Sequence, residues 1–235
     1  MSLLDLFRFR APTLSADQAV RLAALGPPAV LGDTPLEAQS WVVVDVETTG
    51  LNLQKDSVVA IGAVSLDGPI IPLGAGFECT LAIKANLAAP STLIHGLSPA
   101  VLARGLPPAE ALLRFLEYVD GRPLLAFHAS FDQGMLVRAI KHTLGLQWQA
   151  PFMDLAEVAP LLCPNWAAHN HSLDDWIKQF GLHIGERHHA SADALVTAEL
   201  GLMLFSLARR QGLATPAALL DALSRWRRRR DQPSL

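Results

Sequence analysis

A mixed α/β fold, a sheet covered by helices, is what the order of patterns along these 235 residues predicts. Three observations carry that reading. Val42, Val43 and Val44 form an unbroken β-branched run, the signature of a strand buried on both faces. A second apolar run, SVVAIGAVS at 57–65, leads to Asp67-Gly68, a dipeptide suited to a hairpin turn, so the early strands are antiparallel and need no crossover helix. From residue 107 onward the apolar period lengthens from two toward 3.6, and short strands alternate with helices.

The elements follow in order. Ser15 to Leu25 reads as a short helix, then comes the Gly/Pro-rich connector GPPAVLGDTP, and residues 1–40 together form an N-terminal extension. The main domain, 41–210, opens at Trp41; its first strand ends in a turn at Thr48-Thr49-Gly50, and a third strand belongs between Ile70 and Thr80. In PPAEALLRFLEYV (107–119), Leu112, Leu113, Leu116 and Val119 recur on one side of an amphipathic helix. Residues 123–127 read as a short buried strand. Ser130 with Gln133 three residues later predicts a capping box opening a helix that runs to about Leu144. Further helices are expected at 154–162, 172–180 and 191–209. Residues 211–235 form a C-terminal segment whose end, from Arg225, reads as a loose arginine-rich tail.

Composition narrows the function classes. With 51% hydrophobic and 17% charged residues the chain is a folded protein. Cys79 and Cys163 stand far apart with no CxxC, which speaks against a disulfide scaffold or a structural zinc site. MSLLDLFRFR lacks the apolar run and cleavage site of a secretory signal, and no stretch reaches 18 uninterrupted apolar residues; a cytoplasmic protein without membrane contact is the expectation. The net charge is -3, but the last fifteen residues hold five arginines and two aspartates, leaving 14 basic against 20 acidic residues in the body. Such a body is no passive phosphate binder, although metal ions could reverse the sign at an acidic cleft.

Four carboxylates and one imidazole carry the chemistry. Asp45 and Glu47 in WVVVDVETTG are two apart on a strand end and share a face. Asp132, in HASFDQGML, sits in the first turn of a helix, where free N–H groups favour a carboxylate. Asp193 opens the late helix five residues after His188. Crowded carboxylates repel by about 4 kcal/mol per close pair at intermediate dielectric. Hard cations relieve that repulsion, and oxygen-only ligation suits two Mg2+ or Mn2+ ions rather than zinc. Such a pair suits in-line phosphoryl displacement, with His188 as the base that takes a proton from water. Taken singly, each residue also reads as a solvated strand end, a helix-end charge or a surface histidine.

Together the motifs resemble the DEDDh group of 3'-to-5' exonucleases, especially the epsilon-type proofreading subunit of bacterial replicative polymerases, over about 42–207. DVETTG matches the first motif, SFD the second and HHASAD, as HxAxxD, the third. The resemblance implies a ribonuclease H-like fold with a mixed five-stranded sheet. It implies that Asp45 bridges two metals, Glu47 and Asp193 complete the ligation, Asp132 acts largely through the second metal and its waters, and His188 is the general base. His189 is expected to have no fixed role. Thr48 and Thr49 resemble the turn touching the 3'-terminal nucleotide, with simple turn formation as the alternative; His95, in IHGLS, matches a segment near the substrate cleft or is an ordinary loop histidine. Asp154 matches a recurrent supporting or capping Asp. The chain departs from the usual A-H-N-A-x-F-D at Phe127 and His128, which points to altered hydrogen bonding around the second motif.

The implied partners are single-stranded or frayed DNA 3' ends and a DNA polymerase or repair assembly. The arginine tail is expected to hold nucleic acid or dock on an acidic partner. An RNA-trimming or oligonucleotide nuclease and a noncatalytic polymerase-associated module are the alternatives.

Overall fold

The computed structural model describes residues 14–83, 96–169, 172–183, 185 and 187–230. Five strands form one mixed sheet in the order β3-β2-β1-β4-β5: β1 is Ser40–Thr48, β2 Val58–Asp67, β3 Phe77–Thr80, β4 Leu124–Ala126 and β5 Phe152–Asp154. β1 pairs antiparallel with β2 and parallel with β4, β2 pairs antiparallel with β3, and β4 pairs parallel with β5. This is the architecture that the motifs implied.

Alternation along β1 divides the core. Val42, Val44 and Val46 face one apolar cluster with Leu112, Phe115 and Leu116 of α3 (Pro108–Val119) and Met135, Leu136 and Ile140 of α4 (Ala129–Leu144). Trp41 and Val43 face the other, with Leu200, Leu204 and Phe205 of α8 (Ala190–Arg210). Asp45 and Glu47 continue the second row, so the face that buries α8 also carries the strand's two acids. By length and composition α8 could cross a membrane, but it lies on the sheet with Ala194, Ala198, Leu200 and Ala208 fully buried. Opposite Asp45 in the β1–β2 register is Gly62, where a Cβ would fall 2.1 Å from the Ala190 carbonyl carbon. A side chain there would drive the start of α8 off the sheet.

α1 (Ala16–Ala23) begins with a capping box between Ser15 and Gln18 and is pinned to α3 by Arg21, which pairs with Glu110 and Glu117. The short α2 (Pro99–Leu102) precedes α3. α5 (Leu155–Leu162) leads to the short α6 (Pro164–Ala167), and α7 (Leu173–Phe180) carries a second capping box, between Ser172 and Asp175.

The structure corrects two expectations. Ser130 and Gln133 form no capping box: α4 starts at Ala129, after His128 in the left-handed region at φ 62°. The His128 N–H donates to Asp154 Oδ1 at 2.9 Å, which turns the chain into the helix early, and the Gln133 amide reaches the Ala150 carbonyl instead. Nor is the arginine run a loose tail. It is the last part of α9 (Pro216–Arg230), seated by buried Leu219, Ala222 and Leu223. Arg227 forks onto Glu157 of α5, Arg225 pairs with Asp221, and Arg230 stacks 4.8 Å over Trp226.

Candidate metal centre

Three chain segments meet at one rim of the sheet. β1 delivers Asp45 and Glu47 just before its register shifts between Glu47 and Thr48. α8 delivers Asp193 in its first turn, because its opening residues are laid on Gly62. One oxygen from each of Asp45, Glu47 and Asp193 falls within 4.8 Å of the others. α4 delivers Asp132, 4% exposed, whose Oδ1 accepts the Val46 N–H at 3.1 Å. Asp132 is thus bolted to the β1 backbone between the two strand acids, beside the tight triad. All four line a cleft of about 480 Å³ together with His188 and Arg187.

His188 stands exposed at the cleft in the left-handed region, φ 61°, and its N–H donates to Asp193 Oδ2 at 3.1 Å. The residue expected to act as base therefore also steadies a carboxylate through its backbone. His189 lies against Glu78 of β3 at 3.4 Å, and Ser191 Oγ donates to Glu78 at 2.8 Å, a tether that fixes the loop to the sheet.

The electrostatics are those of acids lacking enough positive charge. Burial, then the negative neighbours Asp132, Asp193 and Glu47, hold the Asp45 carboxyl far above the carboxylate range, with Arg187 opposing. Burial and then Asp193 raise Glu47 to about 7. Burial raises Asp132 to about 8, against the stabilising Val46 N–H. Asp193 Oδ1 is buried, with Arg187 Nη1 as its ion-pair partner. Oxygen-only donors and crowded, charge-deficient carboxylates fit a divalent cation such as Mg2+ or Mn2+.

The remaining expected residues are placed as follows. Thr48 and Thr49 are buried, the Thr48 hydroxyl donating to the Gly50 carbonyl and that of Thr49 to Asp56 Oδ1, so both build the turn after β1. Asp154 caps α5 by accepting the Ala156 N–H and also takes the His128 N–H, a supporting part. His95 lies outside the described residues. Sequence reasoning missed Arg187, which lines the cleft and pairs with Asp193 within it and with the more exposed Asp174 of α7. The available signal was a lone arginine directly before the third-motif histidine.

Comparisons with known proteins agree with this geometry. A family model described as an exonuclease, RNase_T, matches residues 42–200. The chain is 30% identical over 182 residues to a DNA polymerase III PolC-type protein of Thermotoga petrophila. It is 33% identical over 202 residues to a DNA polymerase III subunit epsilon-like protein of Rhodobacter capsulatus. These matches take in 77% and 85% of this chain but only 13% and 28% of those proteins. Among solved structures, E. coli exonuclease I in complex with a dA16 oligonucleotide aligns with a TM-score of 0.65 at 17% identity, over 73% of this chain and 42% of that one. Exonuclease X in complex with 5' overhanging duplex DNA aligns at 0.59 and 17% identity, over 78% and 99%. At such identities the two structures speak for the fold.

Proposed function

This chain belongs to the RNase_T exonuclease family, and on that premise we propose that it is a metal-dependent 3'-to-5' exonuclease acting on DNA, with single-stranded or frayed 3' ends preferred. The observation that carries the proposal is the meeting of Asp45, Glu47 and Asp193 within 4.8 Å, at one rim of a sheet that the family match spans. Two Mg2+ or Mn2+ ions, held by these three and by Asp132, would supply charge to the phosphate and to the oxygen that leaves it.

The chain's own residues do the rest. His188 takes the proton of the attacking water as the water oxygen bonds to phosphorus; the terminal P–O3' bond breaks, and O3' takes a proton from solvent, leaving a shortened strand with a 3'-hydroxyl and releasing a nucleoside 5'-monophosphate. Asp132, tied to the Val46 N–H, keeps the strand acids in register with α4. The Thr48–Thr49 turn is assigned to the 3'-terminal nucleotide and His95 to the substrate cleft. Unpaired ends are favoured because a narrow cleft then admits one strand without melting a duplex.

Residues 41–210 form the exonuclease domain in this reading, with 1–40 and 211–235 as appendages in a cytoplasmic protein. The resemblance to polymerase-associated relatives supports a polymerase or repair partner. Exposed Arg228, Arg229 and Arg230 continue from Arg227, which is held on Glu157 three residues past the Asp154 that touches the cleft residue His128. They are assigned to the nucleic-acid backbone.

An end-labelled panel of single-stranded, paired, mismatched and RNA 3' termini, run with Mg2+ and with Mn2+, tests activity, polarity and substrate class together. Single-stranded DNA should be shortened fastest; faster loss of RNA would move the assignment to an RNA-trimming enzyme. Asp45→Asn should lower turnover by roughly 10³-fold or more. Hydrolysis surviving that change would mean another site does the chemistry, and no hydrolysis in the parent would leave a noncatalytic binding module.

A further inference from the structure

Arg187 enters the cleft from the loop before α8, half buried, between two aspartates. Its Nε donates to Asp174 of α7, whose side chain is 61% exposed, while Nη1 forms an ion pair with Asp193 of the carboxylate triad. Arg187 Nη1 and Asp193 Oδ1 are both shut off from solvent, so they pair with each other in a dry setting. Arginine keeps its charge at any pH the fold survives. A permanent single positive charge therefore stands among acids that would otherwise receive divalent cations.

We propose that Arg187 is a built-in competitor for the metal centre: it neutralises Asp193 in the metal-free protein, yields that carboxylate as divalent ions enter, and stays tethered through Asp174 at the cleft wall. Asp174 is thereby a positioning residue, the second anchor that lets the guanidinium leave Asp193 without being lost to the site. The outer anchor is wet and the inner one dry, so the guanidinium can give up Asp193 to entering cations and still be held from outside. The inference rests on the metal-centre reading and adds a residue that sets how tightly that centre binds its ions.

Mn2+ titrated into metal-free protein at fixed pH and salt, with free Mn2+ followed by electron paramagnetic resonance, tests it without any turnover. Arg187→Gln should tighten Mn2+ binding by roughly tenfold, because a repelling charge leaves and Asp193 is freed, while the metal-free melting temperature falls. Asp174→Asn should move affinity the other way, several-fold weaker, since Arg187 then has Asp193 as its remaining anchor of this pair. Arg187→Lys keeps the charge and should stay near the parent. Unchanged or weaker binding in Arg187→Gln would overturn the proposal, and so would a loss of affinity in both variants, the mark of a merely structural link. A parent that binds no Mn2+ removes the metal-centre reading itself, and is seen before any variant is compared.

Discussion

Asp45 follows a run of buried valines in β1, and the protons it and its neighbours hold tie the stability of the whole protein to pH. In the unfolded chain these carboxyls titrate near 4; in the fold Glu47 is raised to about 7, Asp132 to about 8, and Asp45 is raised as well. Between those limits the folded protein binds more protons than the unfolded one, so stability falls as pH rises. Metal-free protein should melt several degrees lower at pH 8 than at pH 5; Mn2+ should close most of the gap, and Asp45→Asn should flatten it. Scanning calorimetry of the two forms decides this, and a pH-independent melting point would mean the acids are not crowded. The five acid and base positions were legible because each lies at a strand end or in or beside a helix start that local pattern reveals. Arg187 was not, because its meaning depends on Asp174, thirteen positions earlier and brought alongside by the path of a loop. Position 128 is a middle case. Its left-handed backbone explains why asparagine is usual in the motif, and histidine is among the residues that tolerate that region.

Gly62 decides where the helix α8 can lie. A methyl group there would overlap the Ala190–Ser191 backbone, so Gly62→Ala should destabilise by about 1–3 kcal/mol through overpacking. Because Asp193 rides on the displaced turn, Mn2+ affinity should fall further than the lost stability explains. Denaturant midpoints set beside Mn2+ titrations check this, and a stability loss with affinity intact would separate the glycine from the site. Element by element, helices with a clear apolar period were legible to within a residue or two, α8 and α3 above all. β5 was not, since three residues paired along one edge of β4 have no period of their own. α9 was hidden differently: its arginines mask a buried row one turn apart, Leu219 and Leu223. The Ser130 box failed because the Asp154 carboxylate, 24 positions from Ser130, captures the chain just before it. Local pattern cannot anticipate a capping partner on another strand.

Across the whole molecule, charge is divided into an acidic cleft and an arginine-lined helix end. If Arg228, Arg229 and Arg230 all contact phosphates, replacing them with glutamine should weaken single-strand binding and lower the slope of log affinity against log salt by up to about 2. Fluorescence anisotropy over a salt series measures both. An unchanged slope would take the nucleic-acid role from this helix and leave an acidic protein partner as the reason for the cluster.

Asp45 and Asp193 are 148 positions apart in the chain. A ribosome working at 5–20 residues per second needs roughly 7–30 s to travel between them. Throughout that interval the emerging polypeptide carries its strand acids with neither α8 nor its histidine loop, and so has nothing with which to cut. The fold thereby builds a delay into synthesis: the nascent chain stays inert beside the message being translated until α8 settles against Gly62. Stalled chains released at successive lengths should gain activity in one step, not by degrees.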